Sequence, residues 1–222
     1  MKSNLIVFLL FLSQIMIAQC RCDSLPDLQE LLSCKPTLFK NGAKIYRQYD
    51  CDSSWLVFEN PQKVKRLLTS EYGGDLYLAG RIGFVDWTEY NSTFLMIEST
   101  VSGCCQPPNG ILFDKNTGTR KKDLGPIVYQ TEHMDYPFVV TLDNGNLQFL
   151  HLDSGKTFRV KLPRNRIANT LRYAAVIFPE RLFIESKLEN GVVTLIYGYQ
   201  TSEKEEDWQH DQVIVDLKKH LK

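Results

Sequence analysis

From Trp55 onward the apolar positions fall into short runs separated by turn residues. Trp55-Leu56-Val57-Phe58 stops at Asn60-Pro61, Leu76-Tyr77-Leu78 follows Gly73-Gly74-Asp75, and Ile82-Gly83-Phe84-Val85 leads to Trp87 and Tyr90. Residues 93–100 form the longest strand candidate, and Ile111-Leu112-Phe113 runs into the turn Asn116-Thr117-Gly118 and a basic, exposed return over 119–123. Residues 138–142 and 147–152 flank Asp143-Asn144-Gly145-Asn146, and residues 181–188 and 192–199 meet at Glu189-Asn190-Gly191. Asn or Asp followed by Gly supplies the left-handed backbone that a tight hairpin needs, so both are hairpin signals. Asp153-Ser154-Gly155 turns into residues 157–162, and Val213-Ile214-Val215 favours a last strand by its β-branching. Strands recurring about every ten residues predict a mainly antiparallel, all-β fold: a sandwich, a barrel or a small propeller-like sheet array.

Phe113-Asp114-Lys115-Asn116-Thr117-Gly118-Thr119 resembles Leu150-His151-Leu152-Asp153-Ser154-Gly155-Lys156 in spacing an apolar residue, an Asn or Asp, a hydroxyl residue and a glycine. Turn chemistry by itself produces such a match, so it does not establish a repeat.

Helical periodicity shows only near the amino terminus and in two short stretches further on. Ser24-Leu25-Pro26-Asp27 suits a helix start, with Leu28, Leu31 and Leu32 on one face and Cys34 and Pro36 ending it. About ten residues of helix are marginal alone and need packing or a bridge. A turn at Asn41-Gly42 folds residues 39–49 back on themselves; residues 164–173 suit a short helix, and residues 216–222 a closing helical turn. The expected division is a signal peptide at 1–18, a Cys-rich cap with a short helix at 19–54, and an antiparallel β domain at 55–222.

The leader carries the export argument. A basic start at Lys2 precedes an apolar run over 5–12, interrupted by Ser13 and Gln14, and Ala18 offers a small residue for cleavage. The run falls short of the ~20 residues that span a bilayer, and no later stretch approaches that length. A lipid anchor at Cys20 is the alternative to free export, but it wants a small residue where Gln19 stands. The expected location is therefore exported: periplasmic, cell-surface or extracellular.

Six cysteines in an exported chain imply disulfides. Cys104 and Cys105 are adjacent and ill-placed to bridge one another, so at least one of them is expected to reach Cys20, Cys22, Cys34 or Cys51. This makes the central turn, Ser102 to Gly110, the anchor of the cap.

With 26 basic against 26 acidic side chains there is no field to draw in a nucleic acid. The cysteines lack the paired spacing of a structural zinc site, His133, His151, His210 and His220 are scattered singly, and Ser102-Gly103 lacks the glycine of a nucleophile elbow. Neither a metal nor a cofactor is expected. The carboxylates Asp86, Glu89 and Glu98, beside Trp87 and Tyr90, are the one arrangement suited to holding or cleaving a sugar, since such carboxylates flank a groove with aromatic rings to stack on.

The leading expectation is an exported protein without catalytic chemistry that binds another macromolecule. Its candidate surface is the edge around Trp87, Glu89 and Tyr90 or the turn from Cys104 to Gly110, and an inhibitor or immunity-type partner of a secreted toxin is a specific form. The alternative is a carbohydrate-binding or glycoside-cleaving protein using Asp86, Glu89 or Glu98. Asn91-Ser92-Thr93 matches a glycan acceptor.

Overall fold

The computed structural model describes residues 20, 22–24, 30, 32–72, 85–99, 107–131, 135–143, 145–163, 166–167, 170, 179–202 and 208–220. The chain is mainly antiparallel β and forms two compact units, Met1–Gly83 and Phe84–Lys222. No helix among the described residues is long and apolar enough to cross a membrane.

In the first unit, β1 (Thr37–Leu38), β2 (Lys44–Tyr49), β3 (Ser53–Glu59) and β4 (Lys65–Tyr72) follow one another as an antiparallel meander. The Asn41-Gly42 turn forms as expected: Gly42 takes a φ of +84° and donates to the Phe39 carbonyl at 2.9 Å. Asp50 shapes the β2–β3 turn by accepting from the amides of Asp52 and Ser53. Ile45, Tyr49, Leu56 and Phe58 are fully buried, with Phe39 ring-to-ring against Phe58 at 6.4 Å.

Two disulfides close this unit, Cys20–Cys34 and Cys22–Cys51. They point to an oxidising, exported environment. They also overturn the pairing expected from the sequence: the four amino-terminal cysteines are consumed by one another, so none is left for Cys104 or Cys105. Those two lie outside the described residues, as does the leader. The expected cap is corrected as well. Its short helix is not supported, with residues 25–29 and 31 outside the described set, while residues 37–49 fold back at Asn41-Gly42 as the β1–β2 hairpin and β2 goes on to pair along its whole length with β3. The expected boundary before Trp55 falls inside β3.

In the second unit seven strands follow in chain order: β5 (Val85–Glu89), β6 (Thr93–Glu98), β7 (Asn109–Asp114), β8 (Arg120–Gln130), β9 (Phe138–Asp143), β10 (Asn146–His151) and β11 (Thr157–Lys161). β8 serves two neighbours. Its first part pairs with β7 up to Pro126, and from Ile127 it pairs with β9. The hand-over is at Gly125, whose φ of +69° bends the strand where Pro126 has no amide to give. A second sheet holds β12 (Phe183–Glu189), β13 (Val192–Gln200) and β14 (Trp208–Asp216). A 3-10 turn, Leu217–His220, closes the described chain where a helical turn is expected. Neither sheet closes on itself among the described residues.

The β9–β10 hairpin is buried on both faces. Phe138, Val140, Leu147 and Phe149 join Val193, Leu195, Tyr197 and Val215 in one core, while Val139 and Leu150 join Tyr90, Leu95 and Leu112 in another. Double burial accounts for an apolar run at 138–140 that does not alternate.

Candidate functional site

The residues first suspected from the sequence sit on β5, its following turn and β6, and most are structural. Side chains alternate along a strand, and opposed residues of paired strands share a face. Glu89 pairs with Phe94 and Val85 with Glu98, so Glu89 and Glu98 share one face; Asp86, opposite Ile97, lies on the other. Glu89 and Glu98 stand four register positions apart, about 13 Å along the strand, with Trp87 and Met96 between them. A sugar-cleaving pair needs about 5–10 Å across a groove, so the register does not assemble one here. Tyr90 is fully buried and its hydroxyl donates to the Thr131 carbonyl at 2.6 Å. It is a core residue rather than a contact surface, and Trp87 is half-buried beside Met96.

Glu89 has a partner that the sequence did not advertise. Lys115, in the β7–β8 turn, is buried and places Nζ 2.9 Å from Glu89 Oε1 and 2.6 Å from the Tyr90 carbonyl. Asp153, in the β10–β11 turn, accepts from the Ser92 amide at 2.7 Å, from Ser92 Oγ at 3.0 Å and from Asn91 Nδ2 at 3.1 Å. Three turns are thus pinned together at one end of the seven-stranded sheet by groups that satisfy one another.

The arrangement that does face solvent with convergent chemistry lies on the three-stranded sheet. β14 is an edge strand among the described residues, and all nine of its residues pair with β13. Gln209 and Asp211 turn toward the Tyr197 and Tyr199 side; Trp208, His210, Gln212 and Ile214 turn outward. On the inner side Tyr199 donates to Gln209 Oε1 at 2.8 Å, and Arg166 lies 4.5 Å over the Tyr199 ring while bonding to Asp211. Arg166 also reaches the Tyr197 hydroxyl at 3.4 Å. The Gln212 amide, and then Arg166, hold the Asp211 carboxyl below its usual range. Burial pushes the Tyr197 phenol up, with Asp211 adding to that and Arg166 opposing it. The cluster therefore keeps its charges paired and holds β14 in place.

On the outer side the indole of Trp208 lies against Gly198, where a Cβ would come within 3.1 Å of its Cζ3. Trp208 remains 40% exposed and Ile214 60%. A groove of about 290 Å³ is lined by Ile196, His210, Asp211 and Gln212. No set of three or more acidic, His or Cys side chains suited to a metal occurs among the described residues. The site offers apolar anchors and hydrogen-bonding groups, which is the chemistry of binding. Sequence reasoning missed it because it read the last strand as Val213 to Val215 alone, whereas β14 begins at Trp208.

Compared with models of known protein families the chain matches none, and compared with curated proteins it likewise matches none.

Proposed function

We propose that this chain is an exported β-sheet protein without catalytic chemistry that binds a partner macromolecule through the outward face of β14. The observation that carries the reading is the pair Trp208 and Ile214, two large apolar side chains exposed on one face of an edge strand. Six positions separate them, about 20 Å of strand, with His210 and Gln212 between. Exposed aromatic and aliphatic anchors with polar neighbours are the usual composition of a protein-binding patch. The disulfides support export, and an inhibitor or immunity-type partner of a secreted toxin is a form such a protein takes. Of the three finer architectures we adopt the propeller-like array, because β9–β10 is packed on both faces as an inner blade is.

A photo-crosslinking residue introduced at Ile214, and as a control at the exposed Lys121 of β8, tests the surface in the protein's own compartment. The expected result is a discrete adduct from position 214 and none from 121. Trp208→Ala is expected to weaken that partner's binding roughly tenfold or more, as loss of an interfacial aromatic anchor does. Equal labelling from both positions overturns the assignment of the surface.

A further inference from the structure

Asn91-Ser92-Thr93 is the one Asn-X-Ser/Thr triplet in the sequence, and X is not proline. The structure puts it in the turn between β5 and β6. The Tyr90 amide donates to the Thr93 carbonyl at 2.9 Å, which leaves Asn91 and Ser92 as the two central residues. Asn91 is exposed at the tip. We infer that Asn91 is an N-glycosylation site, modified while the chain enters the export lumen and before the β10–β11 turn has docked. This rests on the export reading and not on the partner surface.

The order of events follows from the hydroxyl of the same triplet. Recognition of the acceptor needs both the Asn amide and the Thr hydroxyl. Asn91 is open to solvent, but Thr93 is fully buried and its Oγ1 donates to the Leu152 carbonyl at 3.1 Å. Asp153 takes the Ser92 amide and hydroxyl as well. These partners lie 59 and 61 residues further along the chain. A chain that enters the lumen amino terminus first presents residues 91–93 before Leu152 and Asp153 exist to cover them. The folded protein presents the amide without the hydroxyl.

The reaction draws on a lipid-linked oligosaccharyl diphosphate. Asn91 Nδ2 attacks the sugar C1, the N–C1 bond forms, the C1–O bond to diphosphate breaks, the lipid diphosphate leaves, and the amide gives up one proton. The substituted nitrogen keeps one N–H, enough for its 3.1 Å bond to Asp153 Oδ2. The sugar then extends into solvent from the tip, so the modified chain folds to the same turn.

The test is to express Met1–Lys222 in a eukaryotic secretory host, once with its own leader and once with residues 1–18 replaced by a proven leader. Peptides of the secreted protein are then mapped by mass spectrometry. The expected result is a glycan on the Asn91 peptide, lost on treatment with peptide N-glycosidase with conversion of Asn91 to Asp. Thr93→Ser keeps it, and Asn91→Gln removes it while the Ser92–Asp153 bonds hold the turn. An unmodified Asn91 on disulfide-bonded protein secreted from the proven leader overturns the inference. Failure of the native leader alone, with the glycan present under the proven one, overturns the export reading and leaves the acceptor site standing. For the timing, unglycosylated protein made in a bacterial periplasm is offered to microsomes: acceptance after unfolding and refusal when folded are expected, and equal acceptance by both overturns the order of events.

Discussion

Asp114 and His151 perform the same task in two separate hairpin turns, β7–β8 and β10–β11. Asp114 Oδ1 accepts from the Thr117 amide at 2.9 Å, and His151 Nδ1 accepts from the Ser154 amide at 3.1 Å. Around them the backbone bonds coincide as well: Gly118 to Asp114 and Gly155 to His151, each 2.9 Å. The hydroxyls of Thr117 and Ser154 then accept from the amides of Thr119 and Lys156. Two turns with different residues at the key position share one hydrogen-bond pattern. The difference is that an imidazole loses its acceptor when it takes up a second proton, at a pH where a carboxylate does not.

Burial holds the His151 pKa below its ordinary 6.5, with Asp153 pulling the other way and Lys156 adding to the fall. The folded state therefore binds its proton less readily than the unfolded chain. Stability from this site is complete above about pH 6.5 and falls as pH drops through the unfolded value toward the folded one. The urea midpoint is expected to drop between about pH 7.5 and about pH 5.5. His151→Asn, which keeps an acceptor and does not titrate there, is expected to lose part of that drop. An identical pH profile in the variant removes His151 from the account.

The turns and strands together show what the sequence reveals and what it hides. Asn190 at φ 49° and Gly191 at φ 76° form the turn that Glu189-Asn190-Gly191 predicts, because local backbone freedom is written in the residues themselves. Residues 138–140 were legible as strand by their apolar run, though not as a strand buried on both faces. Lys115 and Asp153 look like ordinary turn charges; their partners, Glu89 and Ser92, lie 26 and 61 residues away, and nothing local encodes that. β4 was missed because Lys65–Tyr72 is mostly polar and lacks an alternating apolar pattern, and its pairing with β3 is a tertiary fact.

The Lys115–Glu89 pair is expected to be costly to break from one side only. Lys115 has 5% of its side chain exposed and Glu89 18%, so Lys115→Ala takes the neighbouring ammonium away from a carboxylate in a poorly hydrated place. A loss of about 3–5 kcal/mol is typical for such a change. Lys115→Met with Glu89→Gln removes both charges and is expected to recover much of it. Urea unfolding of the two single variants and the double closes the cycle; strict additivity refutes the coupling.

Gly191 and Gly145 separate backbone strain from collision. Both hold positive φ, +76° and +72°. At Gly145 an added Cβ meets nothing within 4 Å, whereas at Gly191 it meets the Tyr136 ring at 2.6 Å and Lys218 Cε at 2.8 Å. Gly145→Ala is expected to cost about 1–2 kcal/mol, the left-handed penalty alone. Gly191→Ala must also displace a ring, so it is expected to cost about 1–3 kcal/mol more, read from thermal or urea midpoints. Equal losses at the two sites contradict the contact with Tyr136.

The disulfides carry a prediction that separates the two bridges from each other and from the central cysteines. Cys20–Cys34 closes 14 residues and Cys22–Cys51 closes 29. A cross-link stabilises mainly by restricting the unfolded chain, and the restriction grows slowly with loop length. Replacing both partners of the shorter bridge with Ser is expected to cost about 3 kcal/mol, and of the longer bridge about 3.5 kcal/mol. Trp55 reports on the first unit once Trp87 and Trp208 are replaced by Phe, so its fluorescence in urea gives the two losses directly. The four amino-terminal cysteines are spent on each other, so Cys104→Ala with Cys105→Ala is expected to leave both bridges in place. Non-reduced peptide mapping of that variant checks it: a peptide from residues 20–51 carrying a free thiol refutes the pairing.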